Sequence, residues 1–326
     1  MKGDADKLQE AVLIAIALLA MLVVLPSPVR SEEGGSGPYA PGAAASFIDA
    51  FPGKPGAFVA IGYYTHYQGS TEVSRQLPLA GLVTFGLEAT SNSATLVGFY
   101  ETKLQLLGGH LAAGAAIPFV WLEAQGSVSS GLGSIAVRDS TSGIGDLTLY
   151  PLMLGWVRSG GELKYDVRLG VYAPTGGYDK GRLANIGKNY WTFEPGFFVS
   201  YLGSKNGREA SAYAAFDFNT KNTDTDYQTG TQFHIDATLA QHLPLLGGVV
   251  GLGGSGFYYQ QIGGDSGAGA VLGDFKGRTV GVGPVLSYVR KVGNSDLVSE
   301  LKWLPELDVS KRLEGDFIWL KAGLSF

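Results

Sequence analysis

Apolar and polar residues alternate one by one along much of the chain. The alternation is clearest in residues 162–173, and it recurs in residues 209–219 and 231–242. The polar face of the first stretch carries charged side chains: Glu162, Lys164, Asp166 and Arg168. Successive side chains of a β-strand point to opposite faces, so a period of two predicts strands. Runs of about ten residues have the length of transmembrane β-strands.

About twelve segments of this kind follow one another, with connections that alternate in length. The segments start near Ala57, Thr95, His110, Gly145, Glu162, Trp191, Glu209, Gly230, Gly248, Gly277, Asp296 and Asp316. Short turns such as residues 107–109 alternate with long loops such as residues 69–94 and 123–143. Outer-membrane barrels have short periplasmic turns and longer outer loops. The sequence therefore predicts an all-β fold, a transmembrane antiparallel up-and-down β-barrel of about 12 strands.

Aromatic residues are frequent near the ends of the predicted strands. Tyr63, Tyr67, Trp303 and Trp319 are examples, and such positions form the girdles at the two membrane interfaces. Residues 317–326 alternate and end on phenylalanine, as the last strand of bacterial outer-membrane proteins does. These features predict a location in the outer membrane, in contact with lipid and lipopolysaccharide.

The N-terminus carries an export pattern. Residues 11–25 form an unbroken apolar run, shorter than the roughly 20 residues of a membrane-spanning helix but suited to a signal peptide. Val29 and Ser31 are suitable small residues before a cleavage site, although the first ten positions are not positively charged. An uncleaved anchor therefore stays an alternative. We expect a signal peptide over residues 1–31, a flexible Gly/Pro/Ala-rich leader over 32–56, and the barrel over 57–326.

Composition excludes several classes of protein. Charged residues make up 16% of the chain, against about 25% in soluble proteins, while a 45% hydrophobic share argues against disorder. A net charge of −5 argues against a nucleic-acid partner. The absence of cysteine excludes disulfides, thiolate metal sites and thiol catalysis.

The motifs associated with catalysis or cofactors are weak. Residues 251–256 match GxGxxG without a following helix, and chance matches are expected among 49 glycines. His234 and Asp236 share a strand face, but they could approach one metal ion only with a ligand from a neighbouring strand. Barrel enzymes that act on lipid use Ser/His pairs on the outer face, whereas the histidines here fall on predicted inner faces. We therefore expect no enzyme activity, no cofactor and no metal.

Charged residues on the predicted inner faces are candidates for the lining of the lumen. They are Glu101, Lys103, Glu162, Lys164, Asp166, Arg168, Asp217, His234, Asp236, Glu300 and Lys302. Their alternating signs fit a ladder of salt bridges that fills the barrel, or a polar lining that selects solutes. A lumen of twelve strands is wider than the eight-stranded lumen that side chains just fill, which favours a narrow or partly occluded channel.

Three segments resemble a known family. They are GIGDL at residues 143–147 with Pro151, YAPTGGYD at 172–179, and NIGKNYW at 185–191 with Glu194 and Pro195. Together they resemble the outer-membrane proteins of the phenol meta-cleavage degradation pathway, the MetA-pathway of phenol degradation family. The resemblance extends over about residues 51–326 and implies an outer-membrane barrel that moves aromatic or other hydrophobic compounds.

The loop inside these segments has turn and hydrogen-bonding residues. They are Pro174, Thr175, Gly176, Asp179, Asn185 and Asn189. Proline and glycine turn the chain, and Asp and Asn side chains bind loop backbone. Such a loop either folds inward as a constriction or caps the outer rim.

These observations favour a passive, porin-like outer-membrane channel or transporter for small organic, aromatic or hydrophobic compounds. Tyr64, Tyr213 and Tyr259 would offer stacking surface to such solutes. The alternative is a closed structural or adhesive barrel that binds a partner through its external loops. No segment argues for a particular oligomeric state.

Overall fold

The computed structural model describes residues 37–130, 133–273, 275–293 and 295–325, so the predicted signal peptide lies outside the described residues. The strands are β1 (Phe58–Ser70), β2 (Gln76–Leu79), β3 (Leu82–Leu106), β4 (Gly109–Ser130), β5 (Gly133–Ile144), β6 (Leu147–Arg158), β7 (Leu163–Ala173), β8 (Thr192–Leu202), β9 (Arg208–Asn219), β10 (Gln232–Leu245), β11 (Gly248–Gln261), β12 (Arg278–Val292), β13 (Ser295–Ser310) and β14 (Glu314–Ser325). Among these residues, no helix has the length and hydrophobicity needed to cross a bilayer.

Twelve of the strands close into a barrel. Strand β1 pairs with both β14 and β3, β3 pairs with β4, and β4 pairs with β6 before the order continues through to β14. Every ladder is antiparallel, so closure leaves these twelve strands without a free edge. The predicted fold, an antiparallel barrel of 12 strands, is confirmed.

Two connections that the sequence predicted as long loops are strands instead. Residues 69–94 contain β2 and the first half of β3, and residues 123–143 contain the end of β4 and most of β5. These hairpins extend the barrel wall beyond the membrane. The pattern there is weak because the outer face of an extension is in water: β5 is exposed at every second position or more. Lipid no longer requires an apolar face at that height.

The outer surface of the barrel is apolar. Large exposed side chains at mid-strand positions include Leu96, Ile117, Leu149, Phe197 and Leu301, whereas their sequence neighbours point inward and are buried or half-buried. Exposed Trp191 lies directly before β8, at a strand end, as girdle residues do. A continuous apolar outer band on a closed barrel matches a bilayer and would be unfavourable in water.

One end of the barrel has tight turns. Leu107 and Gly108 join β3 to β4, and Leu246 and Gly247 join β10 to β11, all with positive φ. Positive φ at both central residues is the type I′ geometry that fits the twist of a hairpin. Strand β1 begins and β14 ends at this same end, which is the periplasmic side of an outer-membrane barrel.

Candidate functional site

Residues 37–56, here named the lumen segment, lie inside the barrel up to Pro52 and are exposed at its mouth from Gly53. Their backbone amides donate to carboxylates of the wall: Ala44 N to Asp236 Oδ2 at 2.9 Å and Phe47 N to Glu209 Oε1 at 2.7 Å. The expected flexible leader is therefore wrong for these residues. Small Gly, Pro and Ala side chains let the backbone approach the wall closely: a Cβ on Gly42 would meet Leu304 Cδ1 at 2.2 Å.

Asp49 is the electrostatic anchor of the lumen segment. Its Oδ2 lies 2.9 Å from Lys321 Nζ, and its Oδ1 accepts a hydrogen bond from Tyr63 Oη at 3.0 Å. Ser46 N also donates to Oδ2, which closes a short 3-10 turn over Phe47–Asp49. A buried carboxylate that is ion-paired and hydrogen-bonded at both oxygens is fixed in place.

Lumen-facing side chains of β7–β10, β13 and β14 form what we name the charged half. Arg168 donates to both oxygens of Asp166, at 2.7 and 2.6 Å. Lys302 lies 3.3 Å from Glu300 and donates to the carbonyl of Ala44 at 3.0 Å. The charged half thus contains the ion pairs Asp166–Arg168 and Glu300–Lys302 together with the lumen segment.

The structure places most predicted lining residues inside the barrel. The buried ones are Glu101, Asp166, Arg168, Asp217, His234, Asp236, Glu300 and Lys302, and Lys164 is half-buried. Glu162 is not in the lumen: it lies in the turn after β6, where it accepts hydrogen bonds from Ser204. Lys103 is exposed beside Gly56 at the periplasmic mouth, beyond a register shift in β3. Periodicity assigns a face but not a depth, which explains both errors.

A cavity of about 500 Å³ occupies the rest of the lumen. Its wall on β1, β3 and β4, here named the apolar half, carries small hydroxyl and apolar side chains, including Val97, Phe99, Ala116 and Val120. The signal for this cavity is in the sequence, because among the described residues Glu101 is the one charged residue that these strands contribute to its lining, whereas β7 carries Lys164, Asp166 and Arg168. Tyr213 also lines it, whereas Tyr64 points outward and Tyr259 is buried under Arg312, so those two predicted stacking residues do not face the cavity.

The loop from residue 174 to residue 191 closes the long-loop end of the barrel. Leu183 and Ala184 pack with Leu77, Leu87 and Phe275 in a small buried cluster. Of the predicted constriction residues, Asn185 lines the cavity, Thr175 and Asn189 hydrogen-bond Leu147 and Asn222, and Asp179 is exposed. Pro174 and Gly176 form the turn that leaves β7. The loop faces inward over the cavity as well as covering the rim.

Asp146 fixes the base of this loop. Its two carboxylate oxygens accept hydrogen bonds from Gly176 N at 2.9 Å and Lys188 N at 2.8 Å. Burial raises the pKa of Asp146 above its ordinary value, although these hydrogen bonds act in the opposite direction. Gly176 packs directly on Gly187, where a Cβ would come within 2.8 Å of the opposite Cα. These contacts explain why the segments from residues 143 and 172 carry Asp and Gly.

Asp139 of β5 holds the tip of the loop. It accepts from Arg182 Nη2 at 2.7 Å and Arg182 Nε at 3.1 Å, and from Ala184 N at 3.1 Å. The hydrogen bonds from Arg182 hold the pKa of Asp139 below its ordinary value. A lowered pKa means that this stabilisation is present above the ordinary carboxyl pKa and is lost as the pH falls through the lowered value.

We expect Asp139→Ala to release the tip of the loop. Losing its hydrogen bonds to Arg182 and Ala184 should raise the rate of trypsin cleavage after Arg182 several-fold at neutral pH, as followed by mass spectrometry. Glu123→Ala is the control, because it removes the exposed Glu123–Arg138 pair of the same hairpin. Equal cleavage rates in both variants would contradict the assigned anchor.

The comparisons with solved structures find β-barrels of the outer membrane. The chain aligns with the COG4313 outer membrane channel from Pseudomonas putida F1 at a TM-score of 0.64 and 17% identity, over 85% of this chain and 98% of that one. It also aligns with the transport unit of the autotransporter AIDA-I from Escherichia coli (TM-score 0.49, 8% identity, 84% and 90% coverage). A Pseudomonas aeruginosa FadL homologue aligns at a TM-score of 0.42 and 9% identity, with 92% and 97% coverage.

The first of these likenesses shows the fold, and no curated protein matches the sequence significantly. The closed barrel and its apolar outer band place the protein in the bacterial outer membrane. The family model described as "Putative MetA-pathway of phenol degradation" matches residues 67–322, which is most of the barrel and includes the Asp146 and Asp139 anchors of the loop. The chain therefore belongs to this family.

Proposed function

We propose that the protein is an outer-membrane channel for passive uptake of small organic compounds, aromatic or otherwise hydrophobic. The observation that carries the proposal is the cavity of about 500 Å³ on the apolar half of the lumen. Its volume lies in the range of small-molecule sites, and its lining combines many apolar side chains with hydroxyl groups and a few charged residues, among them Glu101 and Arg168. Transfer of a solute of this class from water into this cavity would cost little free energy.

The electrostatics favour a neutral solute. Arg168 is paired with Asp166 and Lys321 with Asp49, so neither of these buried cations presents an uncompensated charge to the cavity. Removing the hydration shell of an ion would cost more free energy than its interactions with such a wall would recover. Diffusion down a gradient requires neither a cofactor nor an energy source.

Two segments close the cavity, and transport through it requires them to move. The loop from residue 174 covers the outer end, and the lumen segment fills the inner part of the barrel. The loop and the lumen segment are not strands, and they are held by hydrogen bonds from their backbone amides to carboxylates of the barrel. The wall, in contrast, is a continuous ladder of paired strands. We infer that a solute passes by displacement of these segments while the wall stays intact.

Filling the cavity should block the solute. Ala116 of β4 is buried and lines the cavity, so Ala116→Phe places a ring inside it. We expect a several-fold loss in binding of N-phenylnaphthylamine, a small aromatic fluorophore, to the protein in detergent. The same loss is expected for its uptake by proteoliposomes.

Ala115→Phe is the matched control for this variant. Ala115 lies opposite Leu149, whose side chain is on the outer face, so the added ring goes toward lipid. Unchanged binding and uptake in Ala116→Phe would contradict the channel proposal. That outcome would favour the alternative, a closed structural or adhesive barrel that acts through its outer loops.

A further inference from the structure

Three side chains that can ligate metal meet in the wall of the charged half. Glu194 of β8, Asp217 of β9 and His234 of β10 come from adjacent strands, and each offers one ligand atom to a group in which all lie within 4.8 Å of one another. All three residues are buried, with exposures of 2%, 0% and 0%. The barrel thus supplies the neighbouring-strand ligands that His234 and Asp236 lack on their own.

The distances in this cluster suit a shared ion better than hydrogen bonds. His234 Nε2 lies 3.5 Å from Glu194 Oε2 and 3.7 Å from Asp217 Oδ1. Ligands at about 2.0–2.2 Å in a tetrahedral arrangement around zinc are separated by roughly 3.3–3.5 Å. A contraction of the cluster, whose ligand atoms all lie within 4.8 Å of one another, would complete a first coordination sphere of three protein ligands.

Two of the three ligand residues are also without hydrogen-bond partners. Both carboxylate oxygens of Asp217 and both ring nitrogens of His234 are buried with no hydrogen bond. Buried polar atoms are normally satisfied, and leaving them unsatisfied costs roughly 1–3 kcal/mol each. A cation bound between Asp217 and His234 would remove this cost at the atoms that face it.

The charge balance points to a divalent cation. The cations of the charged half are paired with other carboxylates: Arg168 with Asp166, and Lys321 with Asp49 and Glu300. Glu194 and Asp217 place two negative charges beside one imidazole. A protonated imidazole would leave a net charge of −1, whereas a divalent ion with a neutral imidazole gives a neutral site.

The surroundings hold two of the ligands in fixed orientations. Tyr172 and Tyr213 donate hydrogen bonds to the two oxygens of Glu194. The ring of Tyr39, from the lumen segment, stacks on His234 with centroids 3.5 Å apart and planes at 14°. Tyr39 Oη also donates to Asp236. Outer contacts of this kind orient metal ligands and strengthen binding.

We propose that Glu194, Asp217 and His234 form a buried binding site for a divalent cation of the zinc type. One imidazole and two carboxylates are ligands that zinc accepts, in a site with three protein ligands. Magnesium and calcium prefer six or more oxygen ligands with several waters, which this buried site does not offer. Through the stacked Tyr39, the ion would also fix the start of the lumen segment.

The test is zinc binding by the full-length mature protein, refolded after chelation and then exposed to zinc chloride. We expect about one tightly bound zinc per protein by elemental analysis after dialysis. X-ray absorption at the zinc edge should show one imidazole among oxygen ligands. Failure to retain zinc, or a bound zinc without imidazole, would overturn the proposal without the use of any variant.

Variants then locate the ion. Asp217→Asn and His234→Gln should each weaken zinc affinity by at least about tenfold. His242→Gln is the matched control, because His242 is equally a buried lumen histidine but is bound to Glu209 at 2.7 Å outside the cluster. Heat-dependent gel mobility shows that each variant has folded. Affinities equal to that of the wild type in both cluster variants, or an equal loss in His242→Gln, would overturn the assignment.

Discussion

Deletion of residues 37–56 will raise the single-channel conductance of the barrel several-fold. The lumen segment occupies the charged half, where it covers Asp236, Lys302 and Lys321 with its own backbone and with Asp49. A barrel of twelve strands is wider than the eight-stranded barrel that its own side chains fill. Without the segment, water reaches these charges and connects the cavity to the periplasmic mouth.

The measurement is conductance in a planar bilayer, with heat-dependent gel mobility as evidence that the deleted form has folded. Ser46→Cys supplies an independent control, since the chain contains no cysteine of its own. Ser46 is fully buried, so this thiol should react slowly with a charged thiol reagent while the segment is docked. A folded deletion variant with unchanged conductance would refute the plugging role of the segment.

Arg168→Ala will lower the free energy of unfolding by about 3–5 kcal/mol. The guanidinium group donates to both oxygens of Asp166, which is fully buried, and it lies over the rings of Phe198 and Tyr213. Its removal leaves a buried carboxylate without its partner, which costs far more than the pair itself contributes. Arg168 Nη2 also contacts the carbonyl of Asp49, so the lumen segment loses a contact as well.

Urea unfolding of the protein in lipid vesicles, followed by tryptophan fluorescence, measures this change. Glu162→Ala is the control on the same face of the same hairpin, and it should change stability by no more than about 0.5 kcal/mol because Glu162 lies in a turn outside the lumen and is only half-buried. The double variant Asp166→Leu/Arg168→Met should recover much of the loss, since no charge is left buried. Equal effects of Arg168→Ala and Glu162→Ala would contradict the burial of the ion pair.

The fold could be predicted from the sequence because the membrane imposes a pattern on the side chains of each strand. Within the bilayer, lipid and lumen require opposite faces of each strand to differ, so the predicted starts at His110 and Gly248 fall within a residue of β4 and β11. Above the bilayer that requirement ends. Residues 82–94 and 133–144 continue as strands through backbone pairing, which leaves little trace in the side-chain pattern.

The candidate site could be predicted from the sequence only in part, for a different reason. Alternation places Glu162 and Arg168 on one face, but their environments differ because one lies in a turn and the other deep in the lumen. The lumen segment binds through backbone amides to carboxylates 162 and 192 residues away, and an amide carries no sequence signature. Likewise, the cluster of Glu194, Asp217 and His234 exists only once three strands are in register.

Docking of the lumen segment has a consequence for the order of assembly. Lys321, the partner of Asp49, lies on the last strand and is aligned with Tyr63 of the first strand in the ladder that closes the barrel. The ion pair and the seam between the two ends of the chain therefore form together. A chain that stalls before its last strand has neither, and it keeps Asp49 uncompensated. Closure of the barrel and neutralisation of Asp49 are thus one event, which destabilises a barrel that lacks its last strand.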